Sequence, residues 1–223
     1  MKNVKIIFSV CLRMVFTFAL ICQGISGFSQ FEGVVTYKIT YSSDDPKAAA
    51  FMGMMPEKST LIVKNHMVRF NQDVAGGGKQ SFVANDRDKS NRLLMSFMGQ
   101  EFQVNLNEEQ LLQLEQTKKL SLTKTEVTKT IAGYDCNLVK TQLEKTPIEI
   151  YYAPELKTPT VLPQFSELEG LPLKYEVVKG AVHMVYEAIS VEHKSIPDMA
   201  FEISNQVKEI PFEKFAQSFA ISK

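Results

Sequence analysis

The chain has 223 residues, and its 25 basic and 25 acidic side chains give a formal net charge of zero at pH 7. This length is enough for one domain with a sizeable hydrophobic core. A balanced charge without a basic stripe excludes nucleic acid as an expected partner.

Residues 1–29 have the layout of a secretory signal peptide. Lys2 and Lys5 form a cationic start, residues 6–21 are mostly apolar, and Gly27–Ser29 ends the segment with small residues at the positions that signal peptidase reads. We therefore expect an exported protein that is cleaved after residue 29.

Two alternatives to cleavage are less favoured. A retained membrane anchor would place Arg13 in the middle of a short apolar run, where a charge is costly. A lipid anchor at Cys22 would require a small residue before it, and Ile21 is large. The remaining residues, 30–223, are expected to form a single β-rich domain with Cys136 as its lone cysteine, so no intramolecular disulfide is expected.

Alternation of apolar and polar residues predicts many short strands. The first runs from Phe31 to Tyr41, with apolar side chains on one parity over eleven residues. Turn residues separate the strands, which indicates an antiparallel meander without crossover helices. The further predicted strands are 60–63, 67–71, 80–84, 92–97, 101–105, 120–130, 134–142, 148–153, 173–178 and 181–191.

Three segments have helical signals. Asp45 is a helix N-cap followed by Pro46, which predicts a helix as far as Met55. A second helix, 107–114, begins with a loose capping box. A third, 212–219, has apolar residues at i, i+3, i+4 and i+7.

The first of these helices is unusual because it is apolar nearly all round. Phe51, Met52, Met54 and Met55 do not lie on one face. Such a helix is expected to be buried on more than one side or to face something apolar. Three interpretations remain open: a buried plug or lid, a surface that contacts an apolar ligand, and a thioether site for copper, although these methionines do not project from one side.

No catalytic or metal site is predicted. His183 and His193 are ten residues apart, roughly 33 Å along an extended strand, and His66 lies in a predicted turn. Cys136 opens a strand beside an acid and no base, which indicates core packing. Catalytic serine, zinc and phosphate-binding motifs are absent, so neither an enzyme nor a cofactor is expected.

Several short motifs resemble a known family. Phe31–Tyr37 and Ile131–Cys136 resemble a secreted Gram-negative family of unknown function, family 4412, as does the run Ile196–Ile203. The related GLPGLI-type family shares the G-Y-x-C feature of the second motif. Gly170–Leu173 matches the GLPGLI motif only in part, which favours family 4412.

The resemblance extends to the lipoprotein-carrier (LolA-like) superfamily. It implies a mainly β (α+β) fold: a curved antiparallel sheet that forms an open half-barrel with a few covering helices, whose concave face holds acyl chains. We expect a non-enzymatic protein in the periplasm or outer-membrane periphery of a Gram-negative cell, or outside it. Phe51, Met52, Met54 and Met55 are the candidate contacts to a lipid or acyl ligand. The alternative is a structural or interaction module with a self-filled core and an outer-membrane or envelope protein as partner.

Overall fold

The computed structural model describes residues 30–74, 78–97, 99–115, 121–143, 146–159, 165 and 167–218. The predicted signal peptide, residues 1–29, lies outside these ranges. The strands are β1 (Gly33–Ser42), β2 (Lys58–Lys64), β3 (Met67–Val74), β4 (Gly78–Asn85), β5 (Ser90–Phe97), β6 (Gln100–Leu106), β7 (Thr123–Ile131), β8 (Tyr134–Leu143), β9 (Thr146–Ala153), β10 (Leu171–Lys179), β11 (Val182–His193) and β12 (Lys208–Glu209). The helices are α1 (Pro46–Phe51), α2 (Glu108–Glu115) and α3 (Phe212–Ser218), with 3₁₀ turns at Met52–Met54 and Asp198–Phe201.

All of these strands belong to one open sheet in the order β12-β6-β5-β4-β3-β2-β1-β11-β10-β9-β8-β7. Two meanders, β1 to β6 and β7 to β11, are joined by the antiparallel pairing of β1 with β11. The sheet does not close, because β12 and β7 are its edges. The predicted fold class, a mainly β protein with an open antiparallel sheet and few helices, is confirmed. The exception is β12, which pairs with β6 in parallel.

The sheet curves strongly in its second half. β7 and β11 are four strand spacings apart in the sheet order, about 19 Å if the sheet were flat. Lys129 Nζ of β7 nevertheless lies 3.7 Å from Glu187 Oε1 of β11. At the strand ends, the Tyr134 hydroxyl lies 2.7 Å from His193 Nε2. Side chains that meet across this distance require a sheet that curls toward itself, as expected for a half-barrel.

The concave face of this sheet carries the main core. Val35, Tyr37 and Ile39 of β1 are buried while their neighbours are not, which confirms the predicted alternation. Leu111 of α2 and Phe215 of α3 join the same cluster, so these helices cover part of the concave face.

The predicted capping signals of the first two helices are present. The Lys47 backbone N–H donates to Asp45 Oδ1 at 2.8 Å, at the start of α1. Before α2, Gln110 N donates to Asn107 Oδ1 at 2.8 Å, and Asn107 N donates to Gln110 Oε1 at 3.0 Å. The reciprocal pair satisfies two N–H groups that a helix start leaves without intrahelical partners.

Residues 194–210, here called the C-terminal strap, cross the convex face. Ile196 and Phe201 pack with Val83 of β4 into a second, smaller core. β12 then pairs with the edge strand β6, and α3 returns to the concave side. The C-terminal region therefore wraps around one edge of the sheet. In the described part of the chain, no helix is both long and apolar enough to cross a membrane.

Candidate functional site

The methionine segment, defined here as Phe51–Met55, carries two of the large apolar side chains that are exposed among the described residues. Phe51 and Met54 each have 62% of their surface exposed, and Met52 and Met55 are half-buried. No residue of α1 or of the following 3₁₀ turn is buried. The interpretation of this segment as a buried plug is therefore wrong. Its apolar side chains face solvent because the segment leaves the sheet between β1 and β2 instead of packing into it.

The connection that contains this segment is tethered at its two ends. The Tyr41 hydroxyl donates to the Pro56 carbonyl at 2.6 Å, just after Met55. The Ser43 hydroxyl donates to the Ala181 carbonyl at 2.6 Å, in the turn between β10 and β11. The methionine segment thus lies at the end of the sheet where β1 ends and β2, β10 and β11 come together.

At this end the concave face is apolar and incompletely covered. Tyr41 pairs with Met184, which in turn pairs with Val177, and all three are half-buried. We call these three residues the open end. One row deeper, Tyr186 and Tyr175 are buried. Burial falls along this face toward the end of the sheet where Tyr41 is hydrogen-bonded to Pro56, the residue that follows the methionine segment.

The centre of the concave face is filled by its own side chains. The rings of Tyr175 and Tyr186 stack with centroids 4.8 Å apart, and Phe165 meets Tyr175 edge-on at 5.2 Å. The cavity lined by Tyr37, Phe70 and their neighbours has a volume of about 10 Å³. That volume holds roughly one water, far below the few hundred Å³ of typical ligand pockets. An acyl chain does not fit there in this conformation.

Tyr37 anchors this filled centre. Its side chain is buried, and its hydroxyl donates to the Pro172 carbonyl at 2.9 Å. Burial strongly raises the pKa of its hydroxyl, because the phenolate would lose its hydration. The hydrogen bond joins β1 to β10 across the concave face, so it supports the curvature.

The histidines are dispersed. His183 Nε2 lies 3.2 Å from Glu176 Oε2, whereas His193 pairs with Tyr134 at the opposite end of β11. Among the described residues, no group of three or more His, Cys, Asp or Glu side chains is placed to hold one metal ion.

Cys136 is buried in the main core, and its thiol donates to the Tyr134 carbonyl at 3.5 Å. Burial, and secondarily the charges of Asp135 and Glu155, raise the pKa of this thiol to about 11. A neutral buried thiol is a poor nucleophile.

Sequence patterns indicated the methionine segment as a candidate site but did not indicate the open end. Tyr41 shares its parity with Tyr37, so strand alternation alone places both on one face. Val177 and Met184 lie on the consecutive strands β10 and β11, but their place beside Tyr41 required the pairing of β11 with β1, two strands that are distant in the sequence.

Comparison with known proteins gives a likeness of fold. PNGF-II has a solved structure similar to this chain, with a TM-score of 0.54 and 17% sequence identity. The similar region covers 83% of this chain and 33% of PNGF-II, so the chain spans about a third of that protein's length. At this identity the likeness shows the fold alone.

Weaker structural likenesses include a LolA-superfamily protein. The superfamily member NE2245 from Nitrosomonas europaea has a TM-score of 0.36 at 11% identity. The similar region covers 79% of this chain and 92% of NE2245. The Mycobacterium tuberculosis lipoprotein LppX has a TM-score of 0.39 at 8% identity, and the similar region covers 80% of this chain and 96% of LppX. Scores this low carry no argument about function. No family model and no curated protein matches the chain, so the resemblance to family 4412 is not confirmed.

Proposed function

We propose that this chain is an exported, non-enzymatic protein of the Gram-negative cell envelope that binds a lipid or acyl chain at the open end, against the methionine segment. The observation that carries the proposal is the 62% exposure of both Phe51 and Met54. These side chains project from a tethered connection beside half-buried Tyr41 and Met184.

The energetics favour an apolar ligand on this surface. Full burial of one such side chain contributes about 1.5–3 kcal/mol, so covering the exposed part of two contributes roughly 2–4 kcal/mol. Thioether side chains adapt to apolar shapes that vary, as acyl chains do. The site is a surface and not an enclosed cavity, so we expect modest affinity in this conformation.

Export and a single domain over residues 30–223 form part of the proposal. They are supported by the cationic and apolar layout of residues 1–29 and by the one sheet that runs through the described residues. Cys136, the lone cysteine after that segment, is buried and lies next to Tyr134, which meets His193 at the end of β11 opposite the open end. Its raised pKa agrees with a structural thiol.

A second candidate function is an interaction module with a self-filled core. The cavity of about 10 Å³ at the centre of the concave face favours it. In that case the methionine segment would dock on another envelope protein, and no acyl chain would bind.

A fluorescence titration distinguishes the two functions. Dansyl-undecanoic acid is added to residues 30–223 of the wild type and of the Met54→Asp and Met199→Asp variants. Met199 is the matched control, because it is 70% exposed but lies on the strap across the convex face. We expect Met54→Asp to weaken binding at least tenfold and Met199→Asp to leave it unchanged, with equal melting temperatures. No binding by the wild type would favour the interaction module, and equal weakening by both variants would contradict the proposed site.

A further inference from the structure

A short polar row interrupts the apolar concave face of the first meander. It consists of Ser59 of β2, Gln72 of β3 and Gln80 of β4, which pair across neighbouring strands. Side chains alternate between the two faces of a strand, so these residues share the face of Leu61 and Phe70, which belong to the main core. Directly paired side chains have Cβ atoms roughly 5 Å apart, so one polar group can contact two neighbouring members of the row.

Ser59 contributes a buried hydroxyl that lacks a partner. The residue is 2% exposed, and its Oγ atom makes no hydrogen bond with any described part of the chain. Burial of an unpaired hydroxyl destabilises a native protein, and nearly all such groups are hydrogen-bonded in native structures. A hydrogen-bonding group of a ligand supplies the partner that the fold itself leaves out.

The two glutamines of the row add uncharged donors and acceptors. Gln72 and Gln80 are half-buried and directly paired, and within the described ranges neither carboxamide makes a hydrogen bond. Each carboxamide has one carbonyl acceptor and two N–H donors. The row therefore offers both kinds of hydrogen-bonding group, as an ester or a hydroxyl group requires, without a charge.

The surrounding face is also uncharged. In β1 to β6, every described position that alternates onto the concave face is apolar or a neutral polar residue. The charged residues Lys58, Asp73 and Lys79 have the opposite parity and therefore face the convex side. Glu57, just before β2, is exposed and would repel an anionic group. A carboxylate on this part of the face would lose hydration without gaining a cation, so the site favours an uncharged head group.

The polar row borders the open end. The rings of Phe70 in β3 and Tyr186 in β11 have centroids 6.3 Å apart, although two strands lie between β3 and β11. Gln72 follows Phe70 by two residues, and Met184 precedes Tyr186 by two residues on the antiparallel strand. Both are thus one position further toward the same end of the sheet, on the same face. The polar row and the apolar open end therefore lie on either side of one part of the concave face.

We propose that Ser59, Gln72 and Gln80 bind the uncharged head group of an acyl ligand, such as the ester and hydroxyl groups of an acylglycerol. The inference rests on the proposed function, because the acyl chain of the same ligand lies against the open end and the methionine segment. The glutamine carboxamides donate to the ester carbonyl and accept from the head-group hydroxyls. The Ser59 hydroxyl gains the partner that it lacks in the free protein.

The test compares two ligands that have the same acyl chain, 1-monodecanoylglycerol and decanoate, at pH 8 and below their micelle concentrations. Each is used to displace dansyl-undecanoic acid from residues 30–223. The wild type should bind monodecanoylglycerol at least about fivefold more tightly than decanoate. Gln72→Leu and Gln80→Leu should each weaken monodecanoylglycerol binding about threefold to tenfold and leave decanoate binding unchanged. The control Gln206→Leu changes an exposed glutamine of the strap and should alter neither affinity.

Ser59→Ala separates a ligand contact from a structural role. It removes a hydroxyl that has no partner in the free protein, so the melting temperature should be unchanged or higher while monodecanoylglycerol binds about threefold more weakly. A lower melting temperature with unchanged affinity would contradict the inference. Equal affinity of the wild type for both ligands, or equal weakening of both by Gln72→Leu, would overturn the head-group contact and leave the acyl site in place. Failure of both ligands and of dansyl-undecanoic acid to bind would overturn the proposed function and this inference together.

Discussion

The burial of Cys136 predicts how much more slowly its thiol is labelled in the native protein than in the unfolded protein. The side chain is fully buried, and its thiol pKa rises from an ordinary 9.0 to about 11, with burial as the largest cause. A rise of two units lowers the thiolate fraction at pH 8 about 100-fold, and thiol reagents react with the thiolate. Native protein lacking residues 1–29 should therefore be labelled by iodoacetamide at least 100-fold more slowly than the same protein in urea.

The raised pKa also makes stability depend on pH. Below pH 9 the thiol is neutral in both states, and its contribution to stability is fully present. Between pH 9 and 11 the unfolded chain loses the proton while the native protein keeps it, so stability falls as pH rises. Between pH 8 and pH 10 the loss from this group is on the order of 1 kcal/mol.

Urea unfolding at both pH values measures this loss, with Cys136→Ala as the control for all other titrating groups. The wild type should lose on the order of 1 kcal/mol more than the variant between pH 8 and 10. Equal losses, or native labelling as fast as in urea, would refute a buried neutral thiol and indicate a reactive one.

Three further predictions concern the fold and export. Tyr37→Phe leaves the Pro172 carbonyl without its 2.9 Å partner and should cost about 1–3 kcal/mol in urea unfolding, whereas Tyr134→Phe, at an exposed contact, should cost less than about 1 kcal/mol. Gly33→Ala places a Cβ 2.0 Å from a β11 carbonyl oxygen, so the melting temperature should fall by several degrees, and an unchanged value would contradict the close strand approach. Mass analysis of exported protein should find Gln30 as the first residue, and an intact residue 1 would disprove cleavage.

Strand identity could be predicted because local alternation encodes it. In β1 the buried parity predicted from residues 31–41 is the one observed. The run Phe82–Ala84 does not alternate between apolar and polar residues, so its buried face cannot be predicted in this way. Phe82 and Ala84 belong to the main core while Val83 belongs to the second core, so three consecutive apolar residues reflect a strand covered on both faces.

Two features could not be predicted because their causes are not local. The C-terminal strap has no periodic pattern; Arg69 and Lys64 position it by donating to its backbone carbonyls from distant strands. The pairing of β12 with β6 involves only two residues, too few for a strand signal.

The interpretation of the methionine segment as a buried plug was wrong for a different reason. Its composition indicates contact on several sides, but composition does not reveal which partner supplies that contact. In the structure, neither Phe51 nor Met54 is covered by the described part of the sheet.

Methionine methyl NMR of residues 30–223 measures whether an apolar ligand binds the methionine segment at the open end. Dodecanoic acid is titrated below its critical micelle concentration into protein labelled with ¹³C at the methionine methyl groups. We expect saturable shifts of Met54 and Met184, one on each side of the proposed contact, and no shift of exposed Met199. Unchanged resonances of Met54 and Met184, or a Met199 shift as large as theirs, would contradict it.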